Sequence, residues 1–89
     1  MDIKTLIDNA AKRGRKTQAE LAKDMGKAPA RLSEWIHLKG KPDVNDIADL
    51  ANRAGLPVFE TVAQIQTQLD PRYANIWKRA VSELRQNQG

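Results

Sequence analysis

The stretch Thr17 to Trp35, TQAELAKDMGKAPARLSEW, decides the fold. Thr17 opens it with an oxygen able to accept from backbone amides of the next turn, and Glu20, three residues on, can reach back to the Thr17 amide as a capping box. Leu21, Ala22 and Met25 then recur at helical spacing, with the small Ala22 where a second helix can approach closely. Gly26 suits the left-handed residue just past a helix C-terminus, because it lacks the Cβ that makes positive φ costly. Pro29 suits the first position of a new helix: its φ is already helical, and its missing N–H would have had no partner there. Leu32, Trp35 and Ile36 supply the apolar stripe of that second helix. Two short helices at a sharp turn are predicted.

Helical signals continue on both sides. Upstream, Asp2 is placed to cap a helix through Ile3, Leu6, Ile7 and Ala10 to about Arg13, with Gly14 as its stop. Downstream, the loop LKGKPD leads to Asp43, which can cap a fourth helix carrying Val44, Ile47, Leu50, Ala51 and Ala54 and closed by Gly55. Pro57 can open a fifth helix, with Val58, Phe59, Val62, Ile65 and Leu69 facing inward. Asp70 and Pro71 look like a cap and first turn for a last helix bearing Ile76, Trp77, Ala80, Val81 and Leu84. The tail from Gln86 to Gly89 is expected to fray. No stretch alternates with period two over a useful length, so an all-α chain is expected.

Composition excludes several functions. The chain has 89 residues and no cysteine, which removes disulfides and thiolate chemistry. One histidine and scattered carboxylates provide neither a nucleophile beside a base nor a metal-ligand cluster, and no glycine-rich phosphate loop is present. Asp43, Asp46 and Asp49 fit a cap and a solvated helix face better than a metal site. The expectation is therefore no catalytic role, no cofactor and no metal. No apolar run approaches the roughly 18 residues of a membrane span, and the N-terminus lacks a signal peptide's apolar block, so no membrane association and a cytoplasmic location are expected.

The net charge of +4 is unevenly distributed. Residues 1–41 hold ten Lys/Arg against five Asp/Glu, whereas residues 42–89 hold five against six. The basic half contains the two-helix motif. Cations in KRGRK (Lys12 to Lys16), Lys39 and Lys41 lie where phosphate attraction would need them.

Two helices across a sharp turn, set in a basic segment, form a helix-turn-helix pattern, in which the second helix typically enters a DNA major groove. The ordered set of Gln18, the ELA triplet at Glu20 to Ala22, Gly26, the Leu32/Trp35 pair and Gly55-Leu56 resembles the lambda-repressor and Cro class of helix-turn-helix regulators. The match spans residues 2 to 56. The resemblance implies a compact, lambda-repressor-like all-α bundle of about five helices, usually a homodimer on a pseudo-palindromic operator in double-stranded DNA. Residues 1–56 would be the DNA-binding core, with residues 57–89 a C-terminal helical extension, including an additional helix, for packing or dimerisation. The DPRYANIWKRAVSEL segment loosely resembles small regulators of filamentous phages and prophages.

This pattern assigns roles by position. Thr17 and Gln18, at the start of the first motif helix, face a phosphate, and Arg15, Lys16, Lys39 and Lys41 flank it. On the second helix Ala28 and Ala30 offer methyl groups to thymine, Glu34 can accept from cytosine, and Arg31 can grip guanine or phosphate. Pro29, Ser33 and His37 complete that face. Two positions depart from the class. Lys27 replaces a usually buried aliphatic residue, so either its stem packs while its ammonium reaches solvent or the turn rearranges. Ala28, Pro29 and Ala30 carry no side-chain hydrogen-bonding group, which makes base readout thin. Trp35 is expected in the core. Trp77 belongs to a stripe larger than one thin bundle needs, so Phe59, Ile76, Trp77, Val81 and Leu84 are the expected dimer contacts.

A repressor acting by operator occlusion is the leading expectation, since the chain has little room for a separate sensing domain. The alternative is a protein-interaction module on the same fold, such as an anti-repressor, antitoxin or assembly factor, suggested by the sparse reading face and the extra apolar stripe. Non-specific architectural DNA binding is a third possibility, and the modest net charge disfavours it.

Overall fold

The computed structural model describes residues 1–88, and the described residues contain helices and no strand. Six α-helices follow one another: α1 (Ile3–Gly14), α2 (Gln18–Asp24), α3 (Pro29–Ile36), α4 (Val44–Arg53), α5 (Val58–Leu69) and α6 (Ala74–Gln88). A single 3₁₀ turn, Pro71–Tyr73, joins the last two.

Local chemistry sets most of the boundaries. The Glu20 N–H donates to Thr17 Oγ1 at 3.1 Å and the Thr17 N–H donates to Glu20 Oε1 at 2.9 Å, completing the expected capping box. Asp43 and Asp46 form a second box at the start of α4. Gly26 and Gly55 hold φ of 72° and 71° after α2 and α4, where a left-handed residue closes the helix. Pro29 is the first residue of α3.

Other boundaries differ from expectation. Gly14 does not stop α1; the helix includes it and closes at Arg15, whose φ is 55°. There the Arg15 N–H donates to the Lys12 carbonyl and the Lys16 N–H to that of Ala11, so the register of these two bonds, and not the nearest glycine, sets the end. Pro57 precedes α5 instead of opening it. Asp70 does not cap the last helix, because both of its carboxylate oxygens take the Arg72 guanidinium at 2.9 Å. Part of the tail expected to fray is assigned to the last helix. Gln86 and Asn87 continue α6, and Gly89 lies outside the described residues.

All of α1 to α5 feed one core. Leu6, Ile7, Leu21, Leu32, Ile47, Leu50 and Ile65 are fully enclosed, and Trp35 is 2% exposed among them. The α2–α3 pair rests on α1, α4 packs against α1, and α5 packs against α4. The inward face of α5 is narrower than the sequence suggests: Val62, Ala63 and Ile65 are buried, whereas Val58 and Phe59 are exposed. Val44 at the start of α4 is exposed too. The last helix is the outlier, since none of its residues whose side chains are described is fully buried and it packs mainly on α5 and the 3₁₀ turn.

Candidate functional site

Helix α3 is amphipathic in a way that divides its residues cleanly. Leu32 and Trp35 point into the core, while Pro29, Ala30, Arg31 and Glu34 are exposed, as is the preceding Ala28. Ser33 is half-buried. The exposed strip therefore begins with a small apolar edge and passes to charged groups. Arg31 and Glu34 approach no closer than 3.8 Å with about half of each side chain in solvent, a loose pair that a ligand can separate at little expense. His37 sets its Nδ1 2.8 Å from the Ser33 carbonyl. A carbonyl can only accept, so that nitrogen donates and Nε2 is left to solvent.

The flanking cations fall into two groups. Among the described residues Arg15 and Lys39 make no ion pair and are exposed. The others are engaged within the chain. Lys16 pairs with Asp24 at the far end of α2. Lys41 donates to the Leu69 carbonyl at 3.2 Å, satisfying a backbone acceptor at the end of α5. Lys27 reaches Asp46 at 3.2 Å, with the Lys27 side chain 29% and the Asp46 side chain 15% exposed. Neither alternative expected for Lys27 is met in full: the residue is half-buried, but its ammonium turns to α4 instead of open solvent, where Asp46 sits as half of a capping box.

Thr17 and Gln18 are likewise committed in part. The Thr17 hydroxyl is used by the Glu20 amide, and Gln18 is half-buried. Hydrogen bonds from the Thr17 amide, and secondarily the Thr17 side chain, hold the Glu20 carboxyl below its usual range.

The residues expected at a dimer contact are distributed unevenly. Phe59 and Trp77 meet each other edge to face, with ring centroids 6.3 Å apart, so much of their apolar surface is matched inside the chain. Val81 and Leu84 are half-buried, and Ile76 is 63% exposed. A cleft of about 620 Å³ runs between α5 and α6, lined by Ala63, Gln64, Thr67, Trp77 and Val81 among others.

Three arrangements have no counterpart in the sequence reading. The Arg13 guanidinium lies over Gly55, so close that a Cβ there would fall 2.3 Å from its Nη1. Arg53, paired with Asp49 at 3.0 Å, also donates to the Asp24 carbonyl and ties α4 to the end of α2. Leu38, just past α3, projects into solvent from a left-handed backbone position. Only Leu38 had a readable signal, an apolar residue alone in a basic loop.

Asp43, Asp46 and Asp49 are distributed among a cap and two ion pairs, and the described residues contain no group of three side chains able to hold a metal. No helix among them is long and apolar enough to cross a membrane. Compared with known protein families, with curated proteins and with solved structures, the chain finds no match.

Proposed function

We propose that this chain is a sequence-specific regulator of lambda-repressor-like type that binds double-stranded DNA as a homodimer and represses by occluding its operator. The observation that carries the reading is the division of α3. Its inner face is locked by Leu32 and Trp35, and its outer face, from Ala28 through Arg31 to Glu34, is presented to solvent, with two uncommitted cations in the flanking loops, Arg15 ahead of α2 and Lys39 after α3. A helix fixed in this way suits a major groove, where side chains must meet base edges in a fixed register.

In this reading α3 divides the work with its flanks. Arg15 and Lys39 grip phosphates and set the register, which carries little sequence information. Ala28 and Ala30 offer methyl contacts, Arg31 leaves Glu34 to take a guanine edge, and Glu34 accepts from a cytosine amino group or rejects sites where it would face a phosphate. Lys16, Lys27 and Lys41 serve the fold first. The exposed Ile76 beside the half-buried Val81 and Leu84 supplies the contact with a second copy.

Selection from a random duplex library at moderate salt, followed by sequencing, tests this directly. A preferred, two-fold related site supports it, and the absence of any preferred site overturns it. The second reading, a protein-interaction module, draws on the α5–α6 cleft and on the number of cations engaged within the chain. It predicts capture of a host protein through that cleft by a chain that enriches no duplex.

A further inference from the structure

Two non-glycine residues among those described hold positive φ, Arg15 at 55° and Leu38 at 58°. Leu38 closes α3 as Arg15 closes α1: its own N–H donates to the Trp35 carbonyl and the Lys39 N–H to that of Glu34. This left-handed position favours glycine, and the same chain uses Gly26 and Gly55 at positive φ after α2 and α4. Leucine is a poor choice for such a backbone unless its side chain is needed. Packing does not need it, because Leu38 is 71% exposed, the most exposed of the chain's large apolar residues that lie open to solvent.

The surroundings of Leu38 indicate what it meets. It stands between His37 and Lys39, with Lys41 two residues further on, and Lys39 has no carboxylate partner among the described residues. Gly40 lies against the Glu34 and Trp35 side chains, each 3.9 Å from where its Cβ would be, so the loop folds back on α3 and holds Leu38 beside the end of the outward face. An isolated leucine beside the uncommitted Lys39, at the margin of a helix presented to solvent, matches an anionic polymer with apolar carbon between its charges.

We infer that Leu38 is an apolar contact to the DNA duplex, seated on deoxyribose carbons at the groove edge while Lys39 holds the adjoining phosphate; this rests on the duplex-binding reading above. Burial of the leucine against sugar offsets the backbone strain that the free protein carries. The left-handed backbone aims the side chain away from the core, and a glycine in its place would leave that groove edge without a contact.

Leu38→Asn tests the inference, because asparagine tolerates the left-handed conformation without the apolar side chain. Thermal unfolding and anisotropy on the selected duplex are measured for the parent, Leu38→Asn and Leu38→Met. The expected result for Leu38→Asn is a melting temperature equal to or above the parent's, about tenfold weaker duplex binding and an unchanged salt slope. Leu38→Met, which keeps the apolar bulk, is expected to retain affinity within about threefold. Parent-like affinity of Leu38→Asn overturns the inference while leaving duplex binding intact, and so does a fall in its melting temperature, which would make Leu38 a packing residue. Failure of the parent itself to bind any duplex overturns the duplex-binding reading first. Loss of binding to a protein or an anionic vesicle, with duplex affinity unaltered, also overturns the inference.

Discussion

Raising the salt concentration weighs the phosphate contacts assigned to the flanks of α3 most directly. Per chain, two of the cations assigned to phosphates are free to meet them: Arg15 and Lys39 have no ion-pair partner among the described residues, whereas Arg31 is assigned to a base edge. Lys16, Lys27 and Lys41 are engaged with Asp24, Asp46 and the Leu69 carbonyl. A dimer thus brings about four cations to phosphates, each releasing about 0.9 of a condensed counterion, for a slope of log K against log salt of about −4. Between about 50 and 200 mM salt this is a loss of affinity of about 150-fold. A monomer with about two contacts would lose only about twelvefold. Anisotropy of a labelled duplex bearing the selected site, titrated across that salt range, measures the slope, and Lys39→Ala is expected to make it shallower by about two units. A slope near −10 would refute the reasoning, since it would require cations beyond Arg15 and Lys39, whether the three engaged lysines or exposed ones such as Lys12, to reach the duplex. A slope near zero would refute it from the other side.

Three further outcomes concern the fold beneath that face. Gly14 lies inside α1 whereas Gly26 holds positive φ with nothing near its missing Cβ, so Gly14→Ala should stabilise by about 0.5–1 kcal/mol and Gly26→Ala destabilise by about 1–2 kcal/mol; urea unfolding in which both lose stability would contradict the assignment of the α1 end. Lys27→Leu should change stability by less than about 1 kcal/mol, because Asp46 keeps its hydrogen bond from the Asp43 amide while the leucine fills the half-buried site, and a loss of several kcal/mol in the same assay would show that the ion pair dominates. The Glu20 carboxyl is held below its usual range by Thr17, so its contribution is complete above the ordinary carboxylate range and is lost as pH falls through the lowered folded value; Glu20→Gln, which keeps the hydrogen bond without the charge, should flatten the acid limb of melting temperature against pH, and an unaltered limb would contradict this.

How much of this was legible in the sequence depends on the range of the interaction. The box at Thr17/Glu20, the cap at Asp43, the turn glycines Gly26 and Gly55 and the restart at Pro29 are local chemistry within a few residues, and each stands where the sequence placed it. The buried stripes through Leu6, Leu32, Ile47 and Ile65 were equally readable, since one helical period is enough to define them. The end of α1 was not, because Gly14 is a plausible stop by type but the closing bonds fall one residue later, on Arg15.

The candidate site was legible as a face and illegible as a charge inventory. The exposure of Ala28, Pro29, Ala30, Arg31 and Glu34 follows from the phase of α3 once Leu32 and Trp35 are inward. By contrast, the Asp46 partner of Lys27, the Leu69 carbonyl held by Lys41 and the Asp24 carbonyl held by Arg53 are 19, 28 and 29 residues away from them, and no spacing rule reports such pairs. The same limit explains Phe59. Its expected inward position depended on α5 alone, whereas the structure leaves it exposed on α5 against Trp77 of α6.

The central claim is that α3 reads bases while its flanks hold phosphates, and one paired measurement addresses it. The parent, Arg31→Ala and Lys39→Ala are each taken through bound-site sequencing from the same random duplex pool at the same salt. Arg31→Ala should lose discrimination at one position of each half-site, by about 1–3 kcal/mol, and leave the rest of the motif standing. Lys39→Ala should weaken every site alike and leave the motif unchanged. A selected motif indifferent to Arg31, or one reshaped by Lys39, would contradict the account.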